Sequence, residues 1–115
     1  MQKSILITGC SSGIGLDCAE TLHAMGWKVF ASCRKQADCD RLEAMGLTSP
    51  RLDHADAASI RDTIEQVTQA TGGTLDAVFN NGAFAVPGAV EDLPTDALRA
   101  IYETNVFGYH EVIRQ

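Results

Sequence analysis

Thr8-Gly9-Cys10-Ser11-Ser12-Gly13-Ile14-Gly15 is the stretch on which the reading of this chain turns. Before it, Ile5-Leu6-Ile7 is apolar without alternation, the pattern of a parallel strand covered on both faces. After it, Ile14, Cys18, Leu22 and Met25 recur at helical spacing as far as Gly26. A strand, a Gly-rich turn and a helix in that order make an anion site, because the first amides of the helix and its dipole both favour negative charge there. A dinucleotide pyrophosphate asks three things of such a turn: tightness, a backbone without Cβ where phosphate approaches, and a small residue where helix packs on strand. Gly9, Gly13 and Gly15 are the candidates, with Ser11, Ser12 and Ile14 beside them. The spacing G-x-x-x-G-x-G lacks the Lys-Ser/Thr of a nucleotide-hydrolysing loop. The competing interpretation is a turn rich in Gly for conformational reasons alone.

Outward from the turn, apolar runs alternate with amphipathic segments. Lys3–Thr8 reads as a first strand, Gly13–Met25 as a helix, Trp27–Cys33 as a second strand, and Asp38–Met45 as a short helix closed by Gly46. Arg51-Leu52-Asp53 is expected as a short third strand. Asp56 caps a helix carrying Ile60, Ile64, Val67 and Ala70, which Gly72-Gly73 ends. Leu75–Asn80 is expected as a fourth strand, Asn81–Leu93 as a loop of functional character, and Pro94 or Thr95 as the start of a last helix. Strands separated by helices imply parallel pairing through right-handed crossovers, hence an α/β, doubly wound parallel sheet of four strands with flanking helices.

A chain of 115 residues supports one domain. Its 45% hydrophobic and 21% charged residues exclude a disordered or low-complexity chain. Nine basic residues against fifteen acidic ones leave a net charge of −6, which repels a duplex or an anionic membrane, so no nucleic-acid partner is expected. The apolar stretches are too short for a membrane span or a signal-peptide core, and the chain is expected to be cytoplasmic. Cys10, Cys18, Cys33 and Cys39 form no C-x-x-C pair and read as reduced thiols. His23, His54 and His110 lie in three separate segments and read as surface or helix-face residues, so no metal is expected. Cys10 precedes a helix whose dipole can lower a thiol pKa, but a small buried filler is the preferred interpretation.

The Thr8–Gly15 stretch resembles the phosphate turn T-G-x-x-x-G-x-G of the short-chain dehydrogenase/reductase family and matches it in full. The resemblance continues at Leu52-Asp53, at Phe79-Asn80-Asn81-Gly82-Ala83 and at Glu103-Thr104-Asn105-Val106, and so spans essentially the whole chain. At one place the order departs: the family's usual N-N-A-G is here Asn80-Asn81-Gly82-Ala83, with Ala and Gly exchanged. The resemblance implies a Rossmann-type sheet, a single NAD(P)-binding domain over residues 1–115, and hydride transfer between a nicotinamide cofactor and a carbonyl or alcohol. It also implies that Asn81 neighbours the nicotinamide ribose, that Asp53 contacts adenine, and that Asn105 orders a water in a proton relay. For Asp53 a strand-end carboxylate capping a turn is the alternative. For Asn105, which falls in an apolar and aromatic helical stripe, the alternative is an Asn that caps or kinks the helix.

An acid at the end of the second strand, about 20 residues past the turn, would bind the ribose 2′-hydroxyl of NAD and repel a 2′-phosphate. Here Ser32-Cys33 runs instead into Arg34-Lys35, and the next acid is Asp38. Arg34 can grip a phosphate bidentately while Lys35 adds a point charge, and Ser11 resembles the family position that meets the same phosphate. NADP is therefore expected in preference to NAD, the alternative being an ordinary solvated Arg-Lys pair. The family's catalytic Ser and Tyr-x-x-x-Lys are not found, since Val106 follows Tyr102 at four places and Ile113 follows Tyr109. The expectation is a cofactor-binding N-terminal half that ends before a fifth strand, as a fragment, a partial reading frame or a truncated product. Alone it would not turn over substrate, and its open strand edge would favour a homo-oligomer. A non-catalytic NADP-binding module and an interaction fragment held by a partner are the other two readings.

Overall fold

The computed structural model describes all of residues Met1–Gln115. Three parallel strands, β1 (Ser4–Ile7), β2 (Lys28–Ala31) and β3 (Ala77–Phe79), form a sheet in the order β2-β1-β3. Five helices flank it: α1 (Gly13–Ala24), α2 (Gln36–Ala44), α3 (Ala57–Thr71), α4 (Thr95–Tyr102) and α5 (Tyr109–Arg114). The strands sit inside the expected limits but are shorter, α1 stops one residue early, and α2 begins two residues before Asp38.

The pleat of β1 explains the layering. Ile5 and Ile7 point to one face, where they pack with Ala19, Val29, Ala31, Cys39 and Leu42 beneath α1 and α2. Leu6 points to the other and joins Phe30, Ile60, Val67 and Val112 beneath α3 and α5. Both faces of β1 are thus covered, which is why its apolar run is continuous.

The expected third strand is a correction. Arg51–Asp53 lies in the place of a strand beside β2 but contributes only one isolated bridge, Arg51 to Cys33, with a second just before it, Thr48 to Phe30. Between them stands Pro50, which has no N–H to continue a ladder. Ala31 N–H donates to Thr48 C=O at 2.8 Å and Leu52 N–H to Cys33 C=O at 2.9 Å, so the segment is tied to the sheet without being a regular part of it. The sheet therefore has three strands rather than four, and β3 is its open edge.

The Asp56 cap is present, its carboxylate accepting the Ala58 and Ser59 amides. The last helix is not continuous: a π-helical segment over Glu103–Gly108 separates α4 from α5. Gly108 is buried there against His54, with no room for a Cβ beside the His54 carbonyl.

Candidate functional site

A cleft of about 680 Å³ opens at the carboxyl ends of the strands. Its walls are the turn at Gly9, Ser11 and Ser12, Arg34 after β2, the segment Leu52–Ala55, and Asn81–Phe84 after β3, with Ala100, Glu103 and Thr104 opposite. Ligands of open parallel sheets bind at this end, because there the loops diverge and the helix N-termini converge.

The turn, α1 and the loop after β3 interlock. The Thr8 hydroxyl accepts both the Asn81 and the Gly82 amide, each at 2.9 Å. Asn81 Nδ2 donates to the Gly9 carbonyl at 3.2 Å. Gly9 has φ +69°, and a Cβ there would lie 2.6 Å from Gly82 Cα. A Cβ at Gly15 would collide with the Gly9 carbonyl and lie 2.7 Å from Asn81 Nδ2, so this glycine lets α1 close onto the turn. Gly13 differs: its φ is +62°, and a Cβ would meet nothing. The amides of Gly13, Ile14 and Gly15 have no partner in the preceding turn, leaving the α1 N-terminus available to an anion.

Of the expected site residues, Gly9, Ser11, Ser12, Arg34, Asp53 and Asn81 line the cleft, whereas Gly13, Ile14, Gly15 and Lys35 do not. Arg34 is exposed and forms no ion pair, in contrast to Arg41, Arg61, Arg99 and Arg114. Lys35 is the exposed N-cap residue of α2. Asp53 Oδ1 accepts the Ala55 amide at 2.9 Å, so the turn-capping alternative is realised even though the residue also faces the cleft. Asn105 lies in the π-helical segment, half-buried, with its carboxamide paired to the backbone of Phe84.

Sequence reasoning missed three contributors. Thr8 is buried, and its hydroxyl joins β1 to the far wall. Arg41 reaches from α2 to donate to the Ser11 carbonyl at 2.6 Å while pairing with Asp38 at 3.4 Å. Its position, one turn after the acid at 38, is the signal that could have found it. His54, expected on a surface, is 7% exposed and lines the cleft, whereas His23 and His110 are exposed as expected. Burial lowers the pKa of its ring, outweighing the opposing effects of Asn80 and Asp53. Cys10 is the buried filler expected, its thiol donating to the Ile7 carbonyl and its pKa pushed up to about 12 by burial.

The dinucleotide suggested by the turn fits these residues. The cleft is large, an unpaired guanidinium sits in its wall, and free helix amides stand beside a glycine with open space in front of it. No helix is long and apolar enough to cross a membrane.

Comparison with known proteins agrees. The sequence profile described as short chain dehydrogenase matches residues 3–115. An uncharacterized oxidoreductase, YbbO of Escherichia coli K12, is 38% identical over 112 residues, covering 97% of this chain and 42% of its own length. The crystal structure of the KRED1-Pglu enzyme superposes with a TM-score of 0.89 at 28% identity, over 99% of this chain and 50% of that one. A short chain dehydrogenase of Burkholderia cenocepacia, solved in complex with NADP, gives 0.80 at 31% identity, over 97% of this chain and 48% of that one. The chain thus spans about half the length of the proteins it matches. With the Gly-rich turn and the strand-end cleft in place and the profile matching nearly every residue, the chain belongs to the short chain dehydrogenase family, a family of NAD(P)-binding oxidoreductases with a Rossmann-type fold.

Proposed function

We propose that these residues bind NADP(H) in preference to NAD(H) and serve an oxidoreductase that exchanges hydride with a ketone or secondary alcohol in the cytoplasm. The observation that carries this reading is Arg34, a cation in the cleft wall with no carboxylate partner, at the end of β2 where a 2′-hydroxyl reader would be an acid. Its planar fork suits a phosphate, and Ser11 stands in the same wall. The free amides at Gly13, Ile14 and Gly15, with Gly9 and Ser12, would hold the pyrophosphate, Lys35 would add charge at the mouth, Asp53 would meet adenine, and Asn81 the nicotinamide ribose. When bound, the cofactor supplies or accepts the hydride. Asn105 supports the loop beside the site and supplies no proton itself, because an amide is not a general acid. The proton donor is not among these residues: no Tyr here has a Lys four places on.

Titration with NADPH and NADH separates the cofactor readings. The wild-type protein should favour NADPH and Arg34→Asp should reverse the preference; equal affinities that the substitution leaves untouched would overturn the assignment. Ketone-dependent NADPH oxidation by the protein at its natural length would separate an enzyme from a binding module.

A further inference from the structure

Gly82 stands where the family's usual order has Ala, and His54 occupies the space in front of it. A Cβ at 82 would lie 2.9 Å from Cε1 and 3.0 Å from Nδ1 of the His54 ring, and 3.2 Å from the Gly9 amide nitrogen. At such distances carbon repels carbon and nitrogen, so either the ring or the Gly82 backbone would have to move. The ring is held by two neighbours. Its Nε2 is 3.3 Å from Asn80 Oδ1, and its centroid lies 4.9 Å from that of the Tyr109 ring, the two planes tilted by 51°. Its backbone lies against Gly108, where there is no room for a side chain. The Gly82 backbone is held as well, its amide and that of Asn81 both ending on the Thr8 hydroxyl.

We infer that His54 is a positioning residue for the cofactor cleft and that Gly82 is its steric complement, the imidazole filling the volume that a methyl at 82 would otherwise take. This rests on the reading of the cleft as a cofactor site. The physical consequence is a wall set by one buried ring. Asn81 and Gly82 both line the cleft, and any shift of their backbone stretches two bonds to Thr8 and one to Gly9, moving the phosphate turn with it. A carboxamide oxygen only accepts, so Nε2 carries the ring hydrogen and Nδ1 presents a lone pair beside Gly82. Around the ring are Asn80, Tyr109 and Gly82, with Gly108 against the His54 backbone and Asp53 the adjacent carboxylate.

The test is a double-mutant cycle read as NADPH affinity of the protein at its natural length. Gly82→Ala should weaken binding by about tenfold or more. In a His54→Ala background the same alanine should cost less than about threefold, because the ring it strikes has gone. In a His54→Phe background, which keeps a ring in place, it should stay as costly as in the wild type. Equal cost in all three backgrounds, or no cost in the wild type, would overturn the pairing. Should Gly82→Ala be recovered only as aggregate, folded protein regained on adding His54→Ala supports the pairing and failure to regain it refutes it. Wild-type protein that binds no NADPH refutes the cofactor reading itself, an outcome distinct from binding with uncoupled substitutions.

Discussion

The Asn105 carboxamide meets the backbone of Phe84 in both directions: the Phe84 amide donates to Oδ1 at 3.3 Å, and Nδ2 donates to the Phe84 carbonyl at 2.9 Å. One side chain in the π-helical segment thereby imitates a strand partner for a loop whose residues 83–90 are otherwise exposed. Such segments carry one extra residue per turn and shift a side chain off the regular helical stripe. Here the shift turns Asn105 toward the loop instead of leaving it among apolar neighbours.

Removing that carboxamide should release the loop without unfolding the domain. Asn105→Leu should cost about 1 kcal/mol, the net worth of a partly exposed hydrogen-bonded pair. Amide hydrogen exchange at Phe84 should accelerate while exchange in β1 stays slow. Unaltered protection at Phe84 would mean that something other than Asn105 holds the loop.

Two glycines of the same turn should respond differently to substitution. Gly13→Val strains a residue at φ +62°, at roughly 1–2 kcal/mol, but meets no neighbour, so the fold should survive. The branched side chain would stand before the free amides of α1 and should reduce NADPH affinity by more than about tenfold. Gly9→Val combines the same strain with a collision against Gly82 and should abolish folding. Circular dichroism alongside cofactor titration distinguishes the two, and intact NADPH binding in Gly13→Val would refute its role.

The thiols should differ in reactivity by burial alone. Cys10, Cys33 and Cys39 are buried, and burial pushes Cys10 to about 12 and Cys33 to about 11, so little thiolate forms near neutrality. Cys18 is only half-buried on α1. Mass spectrometry after brief iodoacetamide treatment at pH 8 should find a single modified residue, Cys18. Rapid modification of Cys10 would mean that the turn opens in solution.

Stability should depend on pH through His54. Burial lowers its pKa below the usual 6.5, so below that value the unfolded chain binds more protons than the native one. Its contribution is therefore complete above pH 6.5 and is lost as pH falls toward the depressed native value. The carboxylates of Asp76, held low by the Ser4 amide and hydroxyl, and of Glu111, held low by Arg114, titrate below this window. Urea melts between pH 7.5 and 5.5 should show the wild type losing stability faster than His54→Phe. Parallel curves would place the ring in solvent.

Short-range chemistry was readable from residue order alone. The continuous Ile5-Leu6-Ile7 run, the helical spacing from Ile14 to Met25, the Asp56 cap and the glycine spacing of the turn are local patterns, set by pleat, helical period and steric freedom within a few residues. They sufficed for the α/β class and the position of the Gly-rich turn. Tertiary structure decided whatever depends on residues distant in the chain. Arg51–Asp53 has the composition of a strand, yet the preceding Pro50 breaks its ladder to β2, and ladder bonds exist only between segments. His54 looks like any loop histidine until Asn80, Gly82, Gly108 and Tyr109, which lie 26 or more residues away, close around it. Burial and hydrogen-bond partnership belong to the packed chain, so the exchange of Ala and Gly after β3 is legible in sequence as a departure and intelligible only in space as a fit.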